Sequence, residues 1–248
     1  MRCISVLVIS LVVTGPISLG QTSRSAQTYH NRATERYAKG DLDGAIADYS
    51  VAITFDPRMA LAYYDRGNAR KASGDLDGAL DDYSRAIELN PRLAGAYNNR
   101  GTMWYRRGDM DRAILDFDKA IETNPSLALA YNNRGSARLE KKDLNAAMAD
   151  FDLAISLDRR LTLAYHNRGI VWSIRGDLDK AITNFGKAIE INPRYASAYL
   201  NRGLIQLLQG QTAEAERDFD QCLKLDSALK GLLEELINNV KQRRIIKQ

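Results

Sequence analysis

The chain of 248 residues has only 2 cysteines and 2 histidines, little proline, and no excess of one charge sign. Each shortage excludes something. Cys3 and Cys222 cannot make a disulfide framework, and loss of the first twenty residues would leave Cys222 without an intrachain partner. His30 and His166 stand at equivalent places four repeated units apart, so they cannot share a metal ion. No HExxH, P-loop, dinucleotide-binding glycine motif or nucleophile elbow occurs, and no metal, cofactor or catalytic centre is expected. Acidic residues (31) nearly match basic ones (35) and alternate with them, which argues against a nucleic-acid-binding face. The last stretch, "KQRRIIKQ" from Lys241, is the exception. It reads as a solvated tail, the alternative being contact with an anionic membrane or an acidic partner.

Long apolar runs are also missing, apart from one near the start. Arg2 is followed by apolar residues from Cys3 to Val13, then by Gly15-Pro16 and the small residues Ser18 and Gly20. A run that short does not comfortably span a bilayer, so residues 1–20 read as a signal peptide cleaved after Gly20. An uncleaved anchor over residues 3–19 is the alternative. Cys3 precedes the apolar run, so a lipoprotein attachment site is not indicated. The expectation is an exported protein of the periplasm, cell envelope or exterior, with residues 21–25 as a linker.

What is abundant is repetition. "AYNNRG" occupies Ala96–Gly101 and recurs at Ala130–Gly135. Aligned on that segment, Ala33, Gly67, Gly101, Gly135, Gly169 and Gly203 stand 34 residues apart without an insertion. A period in this range means stacked supersecondary units. The six units are residues 26–59, 60–93, 94–127, 128–161, 162–195 and 196–229, and positions within a unit are numbered from 1 to 34.

Position 4 is always Tyr, position 8 Gly or Ala, position 20 always Ala, position 24 Tyr or Phe, and position 27 Ala except for Cys222. Positions 17, 20, 21, 24, 27 and 28 follow the spacing of one helical face. Each unit therefore reads as two helices. Gly-Asp at positions 15 and 16 (Gly40-Asp41, Gly74-Asp75, Gly108-Asp109, Gly176-Asp177) ends the first helix and caps the second. Proline at position 32 (Pro57, Pro91, Pro125, Pro193) closes the unit. Small residues at 8, 20 and 27 let the helices approach, and the rings at 4 and 24 fill the space between them. Cys222 takes one of these small-residue places, which points to packing.

This small-and-aromatic pattern, in register from Ala26 to Leu229, resembles the tetratricopeptide repeat family. The resemblance implies an all-α, right-handed superhelical solenoid with a concave ligand surface. Departures are local: Lys142 replaces a turn glycine, Gln211 a turn aspartate, and Arg159 and Ser227 a proline, so those turns are expected to be looser. Leu229, Leu232, Leu233, Leu236, Ile237 and Val240 form one further stripe, so residues 230–248 are expected to be a capping helix and basic tail.

On a helical wheel, positions 4, 7, 8 and 11 of the first helix face the packed side, and positions 2, 5, 6, 9, 12 and 13 the open side. Position 7 is Arg, where the resembled family usually carries Leu. A guanidinium there needs an anion, and position 23 offers one. The expected structural pairs are Arg32 with Asp48, Arg66 with Asp82, Arg100 with Asp116, Arg134 with Asp150 and Arg202 with Asp218; the alternative is that these arginines bind an acidic ligand. Asn184, opposite Arg168, breaks the rule.

The open side carries Asn31, Tyr64, Asn68, Asn98, Asn99, Thr102, Asn132, Asn133, Asn167 and Asn201 as candidate partner contacts. A primary amide both donates and accepts, which suits it to the C=O and N–H of an extended peptide. The position 6 row of Asn31, Asn99, Asn133, Asn167 and Asn201, with Asp65 as the exception, resembles the asparagine ladder in the superhelical repeats of O-linked GlcNAc transferase; the alternative is a merely hydrated row. The later groove turns apolar, with Leu163, Ile170, Ile174, Leu200, Leu204, Leu207 and Leu208, and either binds something or is covered by the cap or tail. The charged clamp with which cytosolic members of the resembled family hold chaperone C-termini is absent.

The expected function is a non-enzymatic adaptor that binds a peptide or protein in its groove, monomeric or weakly self-associating. It would touch no nucleic acid or metal, and membrane only through its ends. The alternatives are a self-associating structural subunit and a carrier of a small apolar ligand in the groove of units 5 and 6.

Overall fold

A computed structural model describes residues 19–246. The signal-peptide reading for residues 1–20 therefore falls almost wholly outside the described residues, as does the end of the tail. Among the described residues the chain is helical throughout, with no strand, and no helix is long and apolar enough to cross a membrane.

The helices come in successive pairs, joined by short turns that the sequence builds the same way each time. In the chain up to Leu89 these are α1 (Leu19–Ala38) with α2 (Leu42–Phe55) and α3 (Ala60–Ser73) with α4 (Leu76–Leu89). From Asn90 onward, a second compact unit contains α5 (Ala94–Arg106) with α6 (Met110–Thr123) and α7 (Ala128–Glu140) with α8 (Leu144–Leu157). It continues through α9 (Thr162–Ile174) with α10 (Leu178–Ile191) and α11 (Ala196–Gln209) with α12 (Thr212–Leu225), and ends in α13 (Lys230–Ile246).

Asp41, Asp109, Asp143 and Asp177 each cap the second helix of a pair by accepting a backbone N–H three residues on. Gln211 stands at the same place in the last pair and makes no such bond. The turn glycine adopts a left-handed φ, as at Gly108 (φ 79°). Lys142 is forced into the same region, at φ 63°. Its turn is thus not looser, contrary to the expectation from sequence: Lys142 N donates to Leu139 O at 2.8 Å, and the left-handed backbone persists at a steric cost.

The turn between one pair and the next depends less on proline than on position 31. Asp56, Asn90, Asn124, Asp158, Asn192 and Asp226 each accept the backbone N–H two residues on. That side-chain turn survives where Arg159 and Ser227 replace the proline, so these turns also keep their form.

Within a pair the helices touch closely. The position 20 alanines are completely buried, and a Cβ added at Gly135 would stand 2.7 Å from Phe151 Cε1. Position 8 must therefore stay small wherever the ring at position 24 lies across it. Leu233 of α13 is buried against Leu200, Leu207, Phe219 and Cys222, with Leu236, Ile237 and Val240 around it. Burying such side chains contributes about 2 kcal/mol each. The cap thus covers Leu200 and Leu207 of the late apolar set, while Leu163 and Ile174 stay exposed.

Candidate binding groove

The position 7 arginines are anchored inside their own hairpins. Arg66 donates Nε to Asp82 Oδ2 (3.0 Å) and Nη2 to Oδ1 (2.7 Å). Arg100 and Asp116 (2.8 and 2.7 Å), Arg134 and Asp150 (3.0 and 2.6 Å), and Arg202 and Asp218 (both 2.7 Å) repeat this fork. Arg32 and Asp48 do the same. All five carboxylates are buried, so the bidentate bonds offset a large desolvation cost. The bonds from Arg32 hold the Asp48 carboxyl below the usual carboxylate range. Each guanidinium also lies over the position 4 Tyr ring of its own helix, 4.7 Å away for Arg32 and Tyr29. In repeats 1, 2 and 4 a second arginine, Arg36, Arg70 or Arg138, reaches the same aspartate. Repeat 5 has Trp172 in place of that arginine and Asn184 in place of the aspartate, and Asn184 Oδ1 accepts a single bond from Arg168 at 2.8 Å.

With position 7 committed to packing, the open side carries the asparagines. From Asn90 onward these form a directional chain. Asn133 Nδ2 donates to Asn98 Oδ1 (2.9 Å), and Asn167 Nδ2 donates to Asn132 Oδ1 (3.1 Å). Within each helix, Asn98 and Asn132 in turn donate to the neighbouring Asn99 and Asn133 (3.4 and 3.2 Å). The chain continues where His166 replaces asparagine: Asn201 Nδ2 meets His166 Nε2 at 2.8 Å, and His166 Nδ1 lies 3.4 Å from Asn167 Oδ1. With Nε2 accepting, the proton sits on Nδ1. Aligned donors of this kind polarise one another.

This arrangement differs from the wheel expectation at position 5. Asn98 and Asn132 are only 4% and 3% exposed, and His166 7%. The first helix of the following repeat covers them, so their polar groups are spent on holding neighbouring repeats together. Position 6 keeps part of its surface. Asn133 uses one N–H on Asn98, whereas Asn167 uses both, on Asn132 and on Ser136 Oγ (3.1 Å). In the chain up to Leu89 the same offset joins His30 to Asp65 at 2.9 Å, and Tyr83 donates to Asn68 Oδ1 at 2.9 Å. Tyr64 packs against Tyr83 with ring centroids 6.1 Å apart, and Asn31 accepts from Gln27 at 2.7 Å.

Two concavities open beside this chain in the second unit. One, of about 270 Å³, is lined by Thr102, Tyr105, Arg106, Asn133, Ser136, Leu163 and Asn167, with Phe117 and Asn132 behind. The other, of about 190 Å³, is lined by Ile170, Ser173, Ile174, Phe185, Asn201, Leu204 and Ile205. The first offers one apolar wall, an aromatic ring, a cation and a few amides, which is the mixture that a peptide side chain and its backbone require. Ser136 did not stand out in the sequence; its only signal was its place, position 9, shared with Thr102. Among the described residues no cluster of three His, Cys, Asp or Glu side chains could hold a metal ion.

Models of the tetratricopeptide repeat match residues 64–128, 128–160 and 196–229, and a TPR repeat model matches residues 33–74 and 174–210. No curated protein sequence matches the chain at a significant level. Among solved structures, the chain is similar to MamA at 28% identity and a TM-score of 0.56, over 66% of this chain and 96% of MamA. It is similar to YrrB, described as a TPR protein with an unusual peptide-binding site, at 22% identity and a TM-score of 0.58, over 78% and 97% of the two chains. It also shares its fold with PilF of Pseudomonas aeruginosa, at 17% identity and a TM-score of 0.71, over 90% and 99%. Helix pairs recurring every 34 residues and family models matching them in turn lead to one conclusion: the chain belongs to the tetratricopeptide repeat family.

Proposed function

We propose that the chain is a non-enzymatic interaction scaffold, exported through the segment at residues 1–20, that holds an extended peptide segment of a protein partner. The observation that carries this reading is the concavity of about 270 Å³ where Tyr105, Arg106 and Leu163 surround the Asn133 amide, which has one N–H not used on Asn98. Its contents are those of a recognition surface: apolar walls for a side chain, and a donor and acceptor for the backbone. YrrB, with its peptide-binding site, supports the class of ligand.

The test compares wild type with Arg106→Glu/Leu163→Asp, a variant of two exposed rim residues that leaves the asparagine chain untouched. A partner crosslinked from the native compartment should be lost in the variant, while helicity and melting temperature stay unchanged. Capture undiminished by the variant would end this reading. A second reading, a small apolar ligand, draws on the apolar concavity of Ile170, Ile174 and Leu204. It requires a ligand to copurify and to be lost in Ile174→Asp.

A further inference from the structure

The position 7 arginines have a third contact that reaches beyond the hairpin. Arg66 Nη1 donates to Ser50 Oγ at 3.0 Å, Arg134 Nη1 to Asp118 Oδ1 at 2.6 Å, and Arg168 Nη1 to Asp152 Oδ1 at 2.7 Å. Ser50, Asp118 and Asp152 all stand at position 25 of the preceding repeat. A guanidinium in this array is therefore gripped on two edges, by position 23 of its own repeat and position 25 of the one before.

Helix α10 carries a carboxylate at neither place. It carries Asn184 at position 23 and Gly186 at position 25. Arg202 is gripped on one edge only, by Asp218 through Nε and Nη2. Its Nη1 faces Gly186, where an added Cβ would stand 3.5 Å from it, and meets no acceptor among the described residues. Beside Gly186 lies a cavity of about 390 Å³, bordered by Tyr165, Arg168, Thr183, Asn184, Lys187 and Glu190. Asn184 brings no charge: its Oδ1 accepts from Arg168 and its Nδ2 donates to Lys180 O at 2.8 Å. Lys187 is held by Glu190 at 2.6 Å, in a pair exposed enough to part easily. Arg168 and Lys187 line this concavity, and Arg202 Nη1 lies against Gly186 at its edge, where the position 25 side chain of earlier repeats is missing; a guanidinium N–H there is a strong donor to an oxyanion.

We propose that the space left at Gly186, where this cavity meets Arg202, binds an oxyanion, a phosphate or carboxylate group, which accepts a hydrogen bond from Arg202 Nη1 in place of the side chain that Asp118 and Asp152 supply in earlier repeats. Lys187 is the second cation of the site. The proposal is independent of the groove, because it rests on the faces of α10 and α11 that carry positions 25 and 7.

The experiment uses the full chain at fixed pH and ionic strength, with chloride replaced stepwise by inorganic phosphate in one arm and by acetate in the other. Wild type and Gly186→Ala should both melt about 2–4 °C higher at saturating phosphate, by binding to the folded state alone. Gly186→Asp should melt higher without added anion and gain nothing from phosphate, since it carries its own carboxylate. A response to acetate as well as phosphate identifies a general carboxylate or phosphate site; a response to phosphate alone narrows it to phosphate. Broadening of the phosphorus resonance by wild type, lost in Gly186→Asp, gives a readout independent of stability. The proposal fails if wild type and Gly186→Ala show no phosphate-dependent rise, or if Gly186→Asp rises equally.

Discussion

Asn133 donates its side-chain N–H to Oδ1 of Asn98, a residue 35 positions earlier and 4% exposed. One repeat length plus one residue separates them, and the same offset joins position 6 to position 5 of the unit before in His30 with Asp65, Asn132 with Asn167 and His166 with Asn201. The asparagines thereby tie repeat to repeat. Asn98→Ala should leave the Asn133 N–H without its acceptor and lower unfolding stability by about 1–3 kcal/mol. Urea titration followed by circular dichroism measures this, and a change within error would remove the asparagines from the account of stability.

Asp150 is 1% exposed and accepts from both Arg134 and Arg138. Asp150→Ala would remove the buried carboxylate from Arg138 and leave Arg134 with Asp118 alone, at a cost of about 3 kcal/mol. Asp152→Ala, which removes an exposed partner of Arg168, should cost under about 1 kcal/mol. The contrast between the two variants is the measured quantity.

His166 is buried, and burial pushes its imidazole below the ordinary value of 6.5. It faces Asn167, Asn201 and the hydroxyl of Tyr195, none of them charged. The unfolded chain therefore takes up a proton near pH 6.5 that the folded chain resists. Stability is complete above that pH and is lost as pH falls through it towards the lower folded value. His166→Asn, which copies Asn132, should flatten this part of the profile. Denaturation midpoints of both proteins at about pH 7.5 and about pH 5.5 decide it.

Two turns carry correctable costs. Lys142 holds a left-handed φ of 63°, and Lys142→Gly should stabilise by about 1 kcal/mol. Gln211 makes no capping bond, and Gln211→Asp should add about 1 kcal/mol. The two sites belong to separate hairpins, so a double variant should show the sum in its melting temperature.

The hairpins were legible because their signals are local. Tyr, Gly, Ala and the ring at position 24 mark which faces meet, and Arg66 and Asp82, sixteen residues apart, lie on one hairpin whose turn is written in the sequence. The asparagine row was legible as a row, but its use was not. A wheel of one helix contains no information on what covers it, and position 5 is covered by a helix that begins some thirty residues later. The turns at Lys142 and Arg159 were misjudged for a related reason. Backbone bonds at Leu139 and the side-chain acceptor of Asp158 hold them, and neither depends on the missing glycine or proline.

The sequence by itself determined the repeat length, the helix pairs and the ion pairs inside them, because contacts within a hairpin need only helical periodicity and a turn of known length. Only the tertiary structure decided that Asn98 and Asn132 face the next repeat, that α13 covers Leu207 but leaves Ile174 exposed, and that Arg202 meets a glycine where its counterparts meet an acceptor. Those outcomes depend on the offset at which one repeat stacks on the next. That offset is set by the packing of many side chains at once and has no single residue to announce it.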